Sequence, residues 1–357
     1  MSNLLGERYR VQIFGQSHSD MIGAVIEGLP AGIRPDMEAI SRFMARRAPG
    51  SGALSTARRE SDTPRIVSGL NDRGETCGAP LCVLIANADV RSGDYDRLRD
   101  VPRPGHADYT AWVKYDGHND IRGGGQFSGR LTAPLCFAGA LALQLLSGMG
   151  IEVKARIQSI AGIEDMPMDP VRPPLDAIPI SGLPVIDAAA AKRMEAAILE
   201  ARQAGDSVGG VVECYATGLP AGLGEPMFDG VENRLARALF GIPAVRGVEF
   251  GLGFAAAALR GSDHNDAFDV NGHAIVTRTN RHGGALGGIT SGMPLVMRAA
   301  FKPTPSIACP QDSVSLSMHT PAPLTVGGRH DPCIVPRAVP CVEAVTACVL
   351  LDMMLAR

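Results

Sequence analysis

The sequence predicts a mixed α+β fold, and three observations carry that prediction. Stretches with strand character and amphipathic helical stretches alternate irregularly along the 357 residues. No Gly-x-Gly-x-x-Gly string follows a strand to open a dinucleotide-binding unit, although glycine runs such as Gly283–Gly288 occur. Hydrophobic residues make up 45% of the chain and charged residues 20%, which is ordinary for a globular protein. We therefore expect a single domain over residues 1–357 without a doubly wound parallel sheet.

The first elements are two short strands followed by a capped helix. Val11–Phe14 reads as one strand, and Gly23–Glu27 reads as another that ends at the turn Gly28–Gly32. Asp36 is placed to accept a hydrogen bond from the first turn of the next helix. The apolar face of that helix consists of Met37, Ile40, Phe43 and Met44, and its opposite face carries Arg42 and Arg46, with Arg47 close by.

The most apolar stretch, Ala133–Leu146, predicts a buried helix, because it is interrupted by Gln144 and too short to span a bilayer. The glycine-rich segment Gly123–Ser128 precedes it, with Ser128 as the helix cap and free backbone N–H groups behind it. Arg130 in the first turn opposes the helix dipole. An unfavourably placed cation favours a bound ligand anion at that position. The alternative is an ordinary glycine loop with an arginine exposed to solvent.

The second half of the chain repeats a feature of the first. The string Gly-Leu-Pro-Ala-Gly recurs at residues 218–222, after the strand Val211–Ala216 and before an amphipathic helix over residues 229–240. Two explanations stay open: an internal duplication, or chance recurrence of a common turn string. A proline-rich connection over Met166–Pro184 joins the halves, and a helix then runs from Asp187 to Gly205.

Charge and cysteine usage exclude several classes of protein. The formal charge is −3 at pH 7, so the chain lacks the excess of positive charge that is typical of nucleic-acid-binding proteins. The eight cysteines contain no CxxC pair, so we expect reduced, mostly buried thiols, no metal site and no disulfide framework. Residues 1–8 lack a signal-peptide pattern. The expectation is a cytoplasmic protein that does not insert into a membrane.

Two histidines lie in short loops of small and polar residues near arginines. His18 belongs to Gly15–Ser19, and His106 belongs to Arg103–Tyr109. A nearby polyanion would favour the charged, proton-donating imidazolium form of each. The basic stretch Arg46–Arg65 is either a solvated face or a mobile flap over a phosphate, and the sequence does not choose between them.

Two further segments near the C-terminal end carry groups suited to anions and protons. Lys302–Ser306 combines a cation, two hydroxyls and two prolines, which suits either a phosphate contact or a surface turn. Asp331 follows Arg329 and His330 and precedes a proline, which favours an extended backbone. Its carboxylate could pair with Arg329 or accept a proton.

These segments together resemble the signature motifs of the chorismate synthase family over nearly the whole chain. The resemblance rests on Gly15–Ser19, Arg103–Tyr109, Gly123–Arg130, Gly205–Gly210, Leu219–Pro226, Ile242–Glu249, Gly283–Gly288, Phe301–Ile307, residues 328–332 and Pro336–Pro340. It implies loss of phosphate from 5-enolpyruvylshikimate 3-phosphate by a trans-1,4 elimination that gives chorismate. It also implies reduced FMN as cofactor, an association with NADP, a β-α-β sandwich of antiparallel sheets enclosing helices, and a homotetramer.

The resemblance also implies roles for particular residues. His18 would protonate the reduced flavin or remain near its C2 carbonyl, His106 would assist phosphate departure, and Asp331 would act through the flavin N5 in removing the C6 proton. The residues implied to bind the substrate are Ser17, Arg47, Arg103 and Arg130, joined by Arg329. The residues implied to contact the flavin are Gln126, Phe127, Ser128, Pro243, Ala244, Gly287, Lys302, Pro303, Thr304, Pro305, Ser306 and Arg329.

Some positions depart from the usual family pattern. Gln16 and Ser19 replace a glutamate and a glycine, Gln126 and Phe127 replace Arg-Ser, and Ala53 replaces a frequent arginine. These changes concern flavin and substrate affinity more than reaction type, so an active enzyme is expected. A non-catalytic flavin-binding paralogue is the alternative. The sequence has no segment like a flavin reductase, so an external flavin reductant is expected as partner.

Overall fold

Antiparallel strands and α-helices make up the fold, in a computed structural model that describes residues 3–49, 62–87, 97–327 and 330–357. In chain order the strands are β1 (Leu4–Leu5), β2 (Arg10–Phe14), β3 (Met21–Glu27), β4 (Pro64–Ser68), β5 (Leu81–Ala86), β6 (Glu152–Ile160), β7 (Ile163–Glu164), β8 (Gly210–Thr217), β9 (Val245–Phe250), β10 (Phe268–Asn271), β11 (Ala274–Thr277), β12 (Ala285–Leu286), β13 (Ile289–Thr290), β14 (Leu295–Phe301), β15 (Gln311–Ser315) and β16 (Thr320–Leu324). The helices are α1 (Met37–Arg47), α2 (Asp108–Lys114), α3 (Thr132–Gly148), α4 (Ala188–Gln203), α5 (Val231–Leu239), α6 (Gly261–His264) and α7 (Val335–Ala356).

Two five-stranded sheets form the framework. The first has the order β1-β2-β3-β5-β4, and the second has the order β7-β6-β8-β14-β9. Their neighbouring strands pair antiparallel throughout, as do the three hairpins β10–β11, β12–β13 and β15–β16. The predicted α+β class with antiparallel sheets is therefore confirmed.

The core is organised around the long helices α3 and α7, which pack against each other. In addition, α3 contacts β2, β3 and β5 of the first sheet. Helix α7 contacts β6 and β8 of the second sheet. A Cβ placed on Gly139 of α3 would lie 2.2 Å from the Cβ of Ala344 in α7, so glycine permits the close approach of the two helices.

Both core helices are long and apolar enough to cross a membrane by composition alone. Their most apolar windows are 67% buried within Gly129–Gly148 and 89% buried within Val335–Ala356. Burial against sheets and helices accounts for this apolar character, because a helix that is hydrophobic all round belongs in a protein core as readily as in a bilayer. The predicted buried helix over Ala133–Leu146 is confirmed as the central part of α3.

The C-terminal part of α7 holds the start of the chain in place. One carboxylate oxygen of Asp352, Oδ1, accepts hydrogen bonds from the backbone N–H groups of Glu7, Arg8 and Tyr9 at 2.8, 2.6 and 2.8 Å. The hydroxyl of the buried Tyr9 donates to the carbonyl oxygen of Ala138 in α3 at 2.7 Å. The N-terminal turn is therefore attached to both core helices.

Two of the three predicted helix caps are confirmed. The exception is Ser128, which caps the 3₁₀ turn Gly129–Leu131 instead of α3, because that turn separates it from the start of the helix. Asp36 accepts a hydrogen bond from the N–H of Ala39 at the start of α1, and Asp187 accepts one from the N–H of Ala189 at the start of α4, each at 2.9 Å. The two Gly-Leu-Pro-Ala-Gly strings follow β3 and β8, and α1 and α5 come after them. This shared local order is compatible with duplication, which stays a prediction.

The prediction that Arg46 shares an exposed polar face of α1 with Arg42, with Arg47 close by, is wrong for Arg46. Arg46 donates two hydrogen bonds to the buried carboxylate of Glu343 in α7, at 2.6 and 3.0 Å. Arg47 is only 3% exposed. The reason is that α1 packs against both α3 and α7, so the last turn of α1 is covered. Arg65 is exposed on β4, and Ala53, Arg58 and Arg59 of the expected flap lie outside the described residues.

Candidate active site

A cavity of about 690 Å³ lies where several loops and helix ends meet. Six cationic side chains line it, and we call it the basic cavity. They are Arg47, Arg103, Arg130, Arg246, Lys302 and Arg337. Among its described lining residues, Asp331 contributes the one carboxylate. A cavity with this excess of cations is suited to a ligand that carries several negative charges.

The ends of regular elements supply the cations of the basic cavity. Arg47 is the last residue of α1, Lys302 directly follows β14, and Arg246 belongs to β9. Arg130 lies in a 3₁₀ turn just before α3, and Arg337 lies in the first turn of α7. Residues far apart in sequence therefore reach one cavity because the two sheets bring these ends together.

Asp108 orients both His106 and Arg103. Its Oδ1 lies 2.6 Å from His106 Nδ1 and 2.8 Å from one terminal nitrogen of Arg103. Its Oδ2 accepts from the Nε and the backbone N–H of Arg103 at 2.7 and 3.0 Å. Although burial favours the neutral acid, the hydrogen bonds from Arg103 and His106 hold the pKa of the Asp108 carboxyl well below its usual range.

This arrangement determines which nitrogen of His106 is available to a ligand. A carboxylate at Nδ1 favours the tautomer with the proton on that nitrogen, which leaves Nε2 for other partners. Nε2 faces the glycine loop, since a Cβ on Gly124 would lie 3.1 Å from it. His106 also lines the basic cavity. It is therefore a candidate for proton transfer to or from a bound ligand.

Asp62 lies between two arginines of the basic cavity. Its carboxylate accepts hydrogen bonds from Arg47 and Arg130, and all three side chains are at least 95% buried. Arg130 also donates to the side-chain oxygen of Asn87 at 2.8 Å and to the carbonyl of Ala86 at 3.0 Å. Asp62 therefore balances part of the charge of Arg130 from within the chain, and the ligand anion expected beside Arg130 stays a prediction.

Asp331 is held by an arginine of α7. Arg337 donates to Asp331 Oδ2 at 2.5 Å and to the carbonyl oxygen of Arg47 at 2.9 Å. Burial lowers the pKa of Arg337 from its ordinary value, an effect that the charge of Asp331 opposes. The guanidinium of Arg337 thereby fixes the position of the Asp331 carboxylate at the cavity wall.

The glycine loop Arg122–Phe127 lies against Ser17 and His18 through Gly123 and against His106 through Gly124. Gly123, Gly124 and Gly125 all have positive φ, at 59°, 82° and 55°. A Cβ on Gly123 would lie 2.4 Å from both His18 Cε1 and Ser17 Oγ. The N–H of Ser17 donates to the carbonyl of Gly125 at 3.1 Å. Only glycine provides this backbone shape and close approach.

One departure from the family pattern has a local structural role in the turn that carries His18. The hydroxyl of Ser19 accepts from the N–H of Gln16 at 3.0 Å, and its one hydrogen can be donated to the carbonyl of Met21 at 2.7 Å or to that of Gln16 at 2.9 Å. Ser19 therefore closes the turn with its own side chain, in a way that the family's glycine could not.

The segment Lys302–Ser306 crosses the basic cavity close to Arg103. Ser306 Oγ accepts from Arg103 at 3.0 Å, and Lys302 donates to the carbonyl of Gly105. Partial burial, with Arg246 nearby, lowers the pKa of Lys302. The hydroxyl of Thr304 is buried and has no hydrogen-bond partner within the described residues. A buried hydroxyl in a cavity wall is a group that can bind a polar ligand.

Most residues predicted from the sequence meet at the basic cavity. Those that line it are Arg47, Arg103, His106, Gln126, Phe127, Ser128, Arg130, Pro243, Ala244, Lys302, Thr304, Pro305, Ser306 and Asp331. Ser17 and His18 lie directly behind the glycine loop, and Pro303 lies within the Lys302–Ser306 segment. The structure does not bring Gly287 to this cavity, because that residue lies in the turn between β12 and β13. Arg329 lies outside the described residues.

Sequence reasoning assigned no role to several residues that shape the site. Asp62 and Asp108 pair with its arginines, and Arg246, Arg337 and Cys341 line the cavity. Asp108 could have been found, because it stands in the same short segment as Arg103 and His106, the two groups that its carboxylate pairs with. The others carry no local signal. Within the described residues no group of three or more His, Cys, Asp or Glu side chains could hold a metal ion.

Comparisons with known proteins point to one family. A family model described as "Chorismate synthase" matches residues 9–355. A chorismate synthase from Thermococcus gammatolerans is 50% identical over 352 residues, covering 99% of this chain and 97% of the relative. One from Dehalococcoides mccartyi is 48% identical over 355 residues, with the same coverage. A solved structure titled "Crystal Structure of Chorismate Synthase" matches with a TM-score of 0.76 and 28% identity, covering 98% of this chain and 93% of that one.

Proposed function

The chain belongs to the chorismate synthase family, and from this premise we propose that it converts 5-enolpyruvylshikimate 3-phosphate into chorismate by trans-1,4 elimination of phosphate. The observation that carries the proposal is the basic cavity, which combines six cations with one carboxylate and an oriented histidine. A substrate with two carboxylates and a phosphate requires cations around it. The elimination also requires a group that accepts a proton, and stabilisation of the departing anion.

We propose reduced FMN as the cofactor. The side chains present fit a phosphate-bearing ligand, because the buried hydroxyl of Thr304 lacks a partner within the described residues and Lys302 and Ser306 lie on the same segment. Gln126, Phe127, Ser128, Pro243 and Ala244 line the same cavity and would contact the flavin. When bound, reduced FMN supplies electron density as phosphate leaves, without net redox change. Gly287 and Arg329 remain predicted flavin contacts.

The arginines are proposed to bind the substrate's anionic groups. Two guanidinium nitrogens of Arg103 donate hydrogen bonds to Asp108. The Arg103 side chain is therefore ordered before a ligand enters. Arg47 and Arg130 share Asp62, which reduces their net charge while keeping both in place. Preorganised cations cost less side-chain entropy on binding than free ones.

The three titratable side chains near the cavity have separate proposed roles. His106 would place a proton and positive charge on the departing phosphate through Nε2, because Asp108 occupies Nδ1. Asp331 would hold the proton removed from the substrate, with Arg337 as its charge partner. His18, packed against Gly123 and next to Ser17, would hold a proton at the flavin side of the site.

Some broader expectations are also part of the proposal. We propose the β-α-β sandwich, supported by the paired helices α3 and α7, which contact the first sheet through α3 and the second sheet through both helices. We propose a cytoplasmic homotetramer, supported by an exposed apolar hairpin that carries Phe268, Val270 and Ile275. The proposal also includes a separate reductase that uses NADPH and supplies reduced FMN.

One anaerobic assay tests the reaction. The pure protein is mixed with dithionite-reduced FMN and 5-enolpyruvylshikimate 3-phosphate, and phosphate release and diene absorbance are followed together. Both should appear, and oxidised FMN with NADPH alone should give neither. His106→Ala should lower turnover while light scattering still reports the tetramer. Flavin binding without phosphate release would instead identify the non-catalytic paralogue.

A further inference from the structure

Two cysteines meet beside the basic cavity, and the proposed reaction uses neither. Cys136 lies in α3 and Cys341 in α7, with their sulfur atoms 3.8 Å apart. Cys136 is fully buried, and Cys341, although only 3% exposed, lines the cavity. All eight cysteines are free thiols, and this pair joins the two helices at the centre of the core.

The two thiols have different surroundings. The hydrogen bond with Cys136 and the charges of Arg47 and Arg337 lower the pKa of Cys341 to about 7, against the effect of burial. Burial and the neighbouring Cys341 raise the pKa of Cys136 well above its ordinary value. A thiolate is the nucleophilic form of cysteine, so Cys341 is the thiol that reacts first.

We propose that Cys136 and Cys341 are a redox modification site, which closes into a disulfide when hydrogen peroxide enters the basic cavity. The Cys341 thiolate attacks one peroxide oxygen, the O–O bond breaks, and the departing hydroxide takes up a proton as water, leaving a sulfenic acid on Cys341. The Cys136 sulfur then attacks the Cys341 sulfur, the S–O bond breaks, and the released hydroxide leaves as water with the Cys136 proton. Two thiols are oxidised, and one peroxide is reduced to two waters.

The disulfide would alter the site because of where Cys341 lies. A disulfide needs its sulfurs about 2.05 Å apart, so this bond must draw α3 and α7 together locally. Cys341 is one helical turn beyond Arg337, whose carbonyl oxygen accepts from the Cys341 thiol at 3.3 Å. Arg337 in turn holds Asp331. Displacing this turn moves the charge partner of Asp331, so the cross-link inhibits the proposed reaction reversibly.

The chemical part of the proposal is tested without an activity assay. The reduced, folded protein is treated with hydrogen peroxide, the remaining thiols are blocked, and the digest is analysed by mass spectrometry without reduction. A peptide joining Cys136 to Cys341 should form and disappear after thiol reduction. Cys77→Ser, at an exposed cysteine, is the matched control and should still form it. In Cys136→Ala, dimedone should instead label Cys341 as its sulfenic acid. Absence of both products overturns the proposal.

The inhibitory part rests on the proposed function and is measured separately. The activity of the oxidised wild type should fall on the order of tenfold to a hundredfold, because a displaced site residue has an effect of this size. Thiol reduction should restore the activity. Cys136→Ala should have normal activity before oxidation and show no loss that a thiol reductant reverses. A cross-linked protein with full activity would refute the inhibition. A reduced protein that is inactive from the start would refute the proposed function, while the mass-spectrometric result would stand.

Discussion

Asp108 illustrates how a single buried carboxylate can organise the chemistry of neighbouring side chains. It is 3% exposed and contacts both His106 and Arg103 through its two oxygens. Loss of the charge would leave Arg103 with unmatched donors and would remove the preference for a proton on His106 Nδ1. We therefore regard Asp108 as a positioning residue that acts through its two neighbours.

Replacement of Asp108 by asparagine should lower kcat/KM by about 10²-fold, because general acid catalysis depends on the correct nitrogen facing the ligand. The measurement is the anaerobic assay with reduced FMN, combined with ¹⁵N NMR of the His106 ring to follow its tautomer. Asp312→Asn, at an exposed position of β15, is the control and should behave as wild type. Unchanged activity in Asp108→Asn would show that this orientation is not needed.

Stability should depend on Asp108 in a defined pH range. Its folded-state pKa is lowered, so its contribution is present above the unfolded pKa and is lost as the pH falls towards the folded one. The difference in unfolding free energy between wild type and Asp108→Asn should be constant above about pH 5 and shrink below about pH 4. Urea titrations at several pH values measure it. A difference that grows on acidification would contradict the assignment.

At the level of single residues, sequence reasoning found groups whose signal is local. His18, His106, Arg103 and Arg130 stand in or beside short glycine-containing segments, where a charged side chain without apolar neighbours is unusual. The roles of Asp62 and Arg337 could not be predicted in this way, because each residue acts through a hydrogen bond to a residue far away in sequence. Arg46 was misjudged for the same reason, since its partner Glu343 follows almost 300 residues later.

At the level of elements, the glycine loop Arg122–Phe127 is the clearest case of backbone shape serving the site. Gly123→Ala should destabilise the fold by about 2 kcal/mol, since alanine disfavours its positive φ and the added Cβ meets His18 and Ser17. Activity should fall as well. Thermal unfolding and the anaerobic assay measure both effects.

The control for this loop is Gly129→Ala, six residues later. A Cβ on Gly129 would have no atom within 4 Å, and its φ is not positive. Its unfolding free energy should therefore change by less than about 0.5 kcal/mol. Equal effects of the two substitutions would mean that contact with His18 and Ser17 does not explain the glycine at 123.

Helices were easier to predict than the arrangement of strands. The caps Asp36 and Asp187 and the apolar run of α3 are signals contained within a few residues. The order β7-β6-β8-β14-β9 instead joins strands separated by up to about 80 residues of intervening chain, and no local pattern specifies such partners. The family resemblance supplied an expected architecture, which periodicity alone did not.

At the level of the whole molecule, Asp352 connects the two ends of the described chain. Asp352→Asn should lower the unfolding free energy by about 2 kcal/mol, because three backbone N–H groups lose a charged acceptor. Denaturant unfolding gives the value, and hydrogen exchange at residues 7–9 should rise. If exchange there stays as slow as in wild type, Asp352 does not hold the N-terminal turn.

The position of α7 has a consequence for the order of events during protein synthesis. This helix is translated after every other described element, yet it packs against both α3 and the second sheet and carries Arg337 and Cys341 of the basic cavity. A nascent chain on the ribosome therefore exposes the apolar surfaces that α7 later covers. Chaperone contact with the growing polypeptide should last until that final helix emerges.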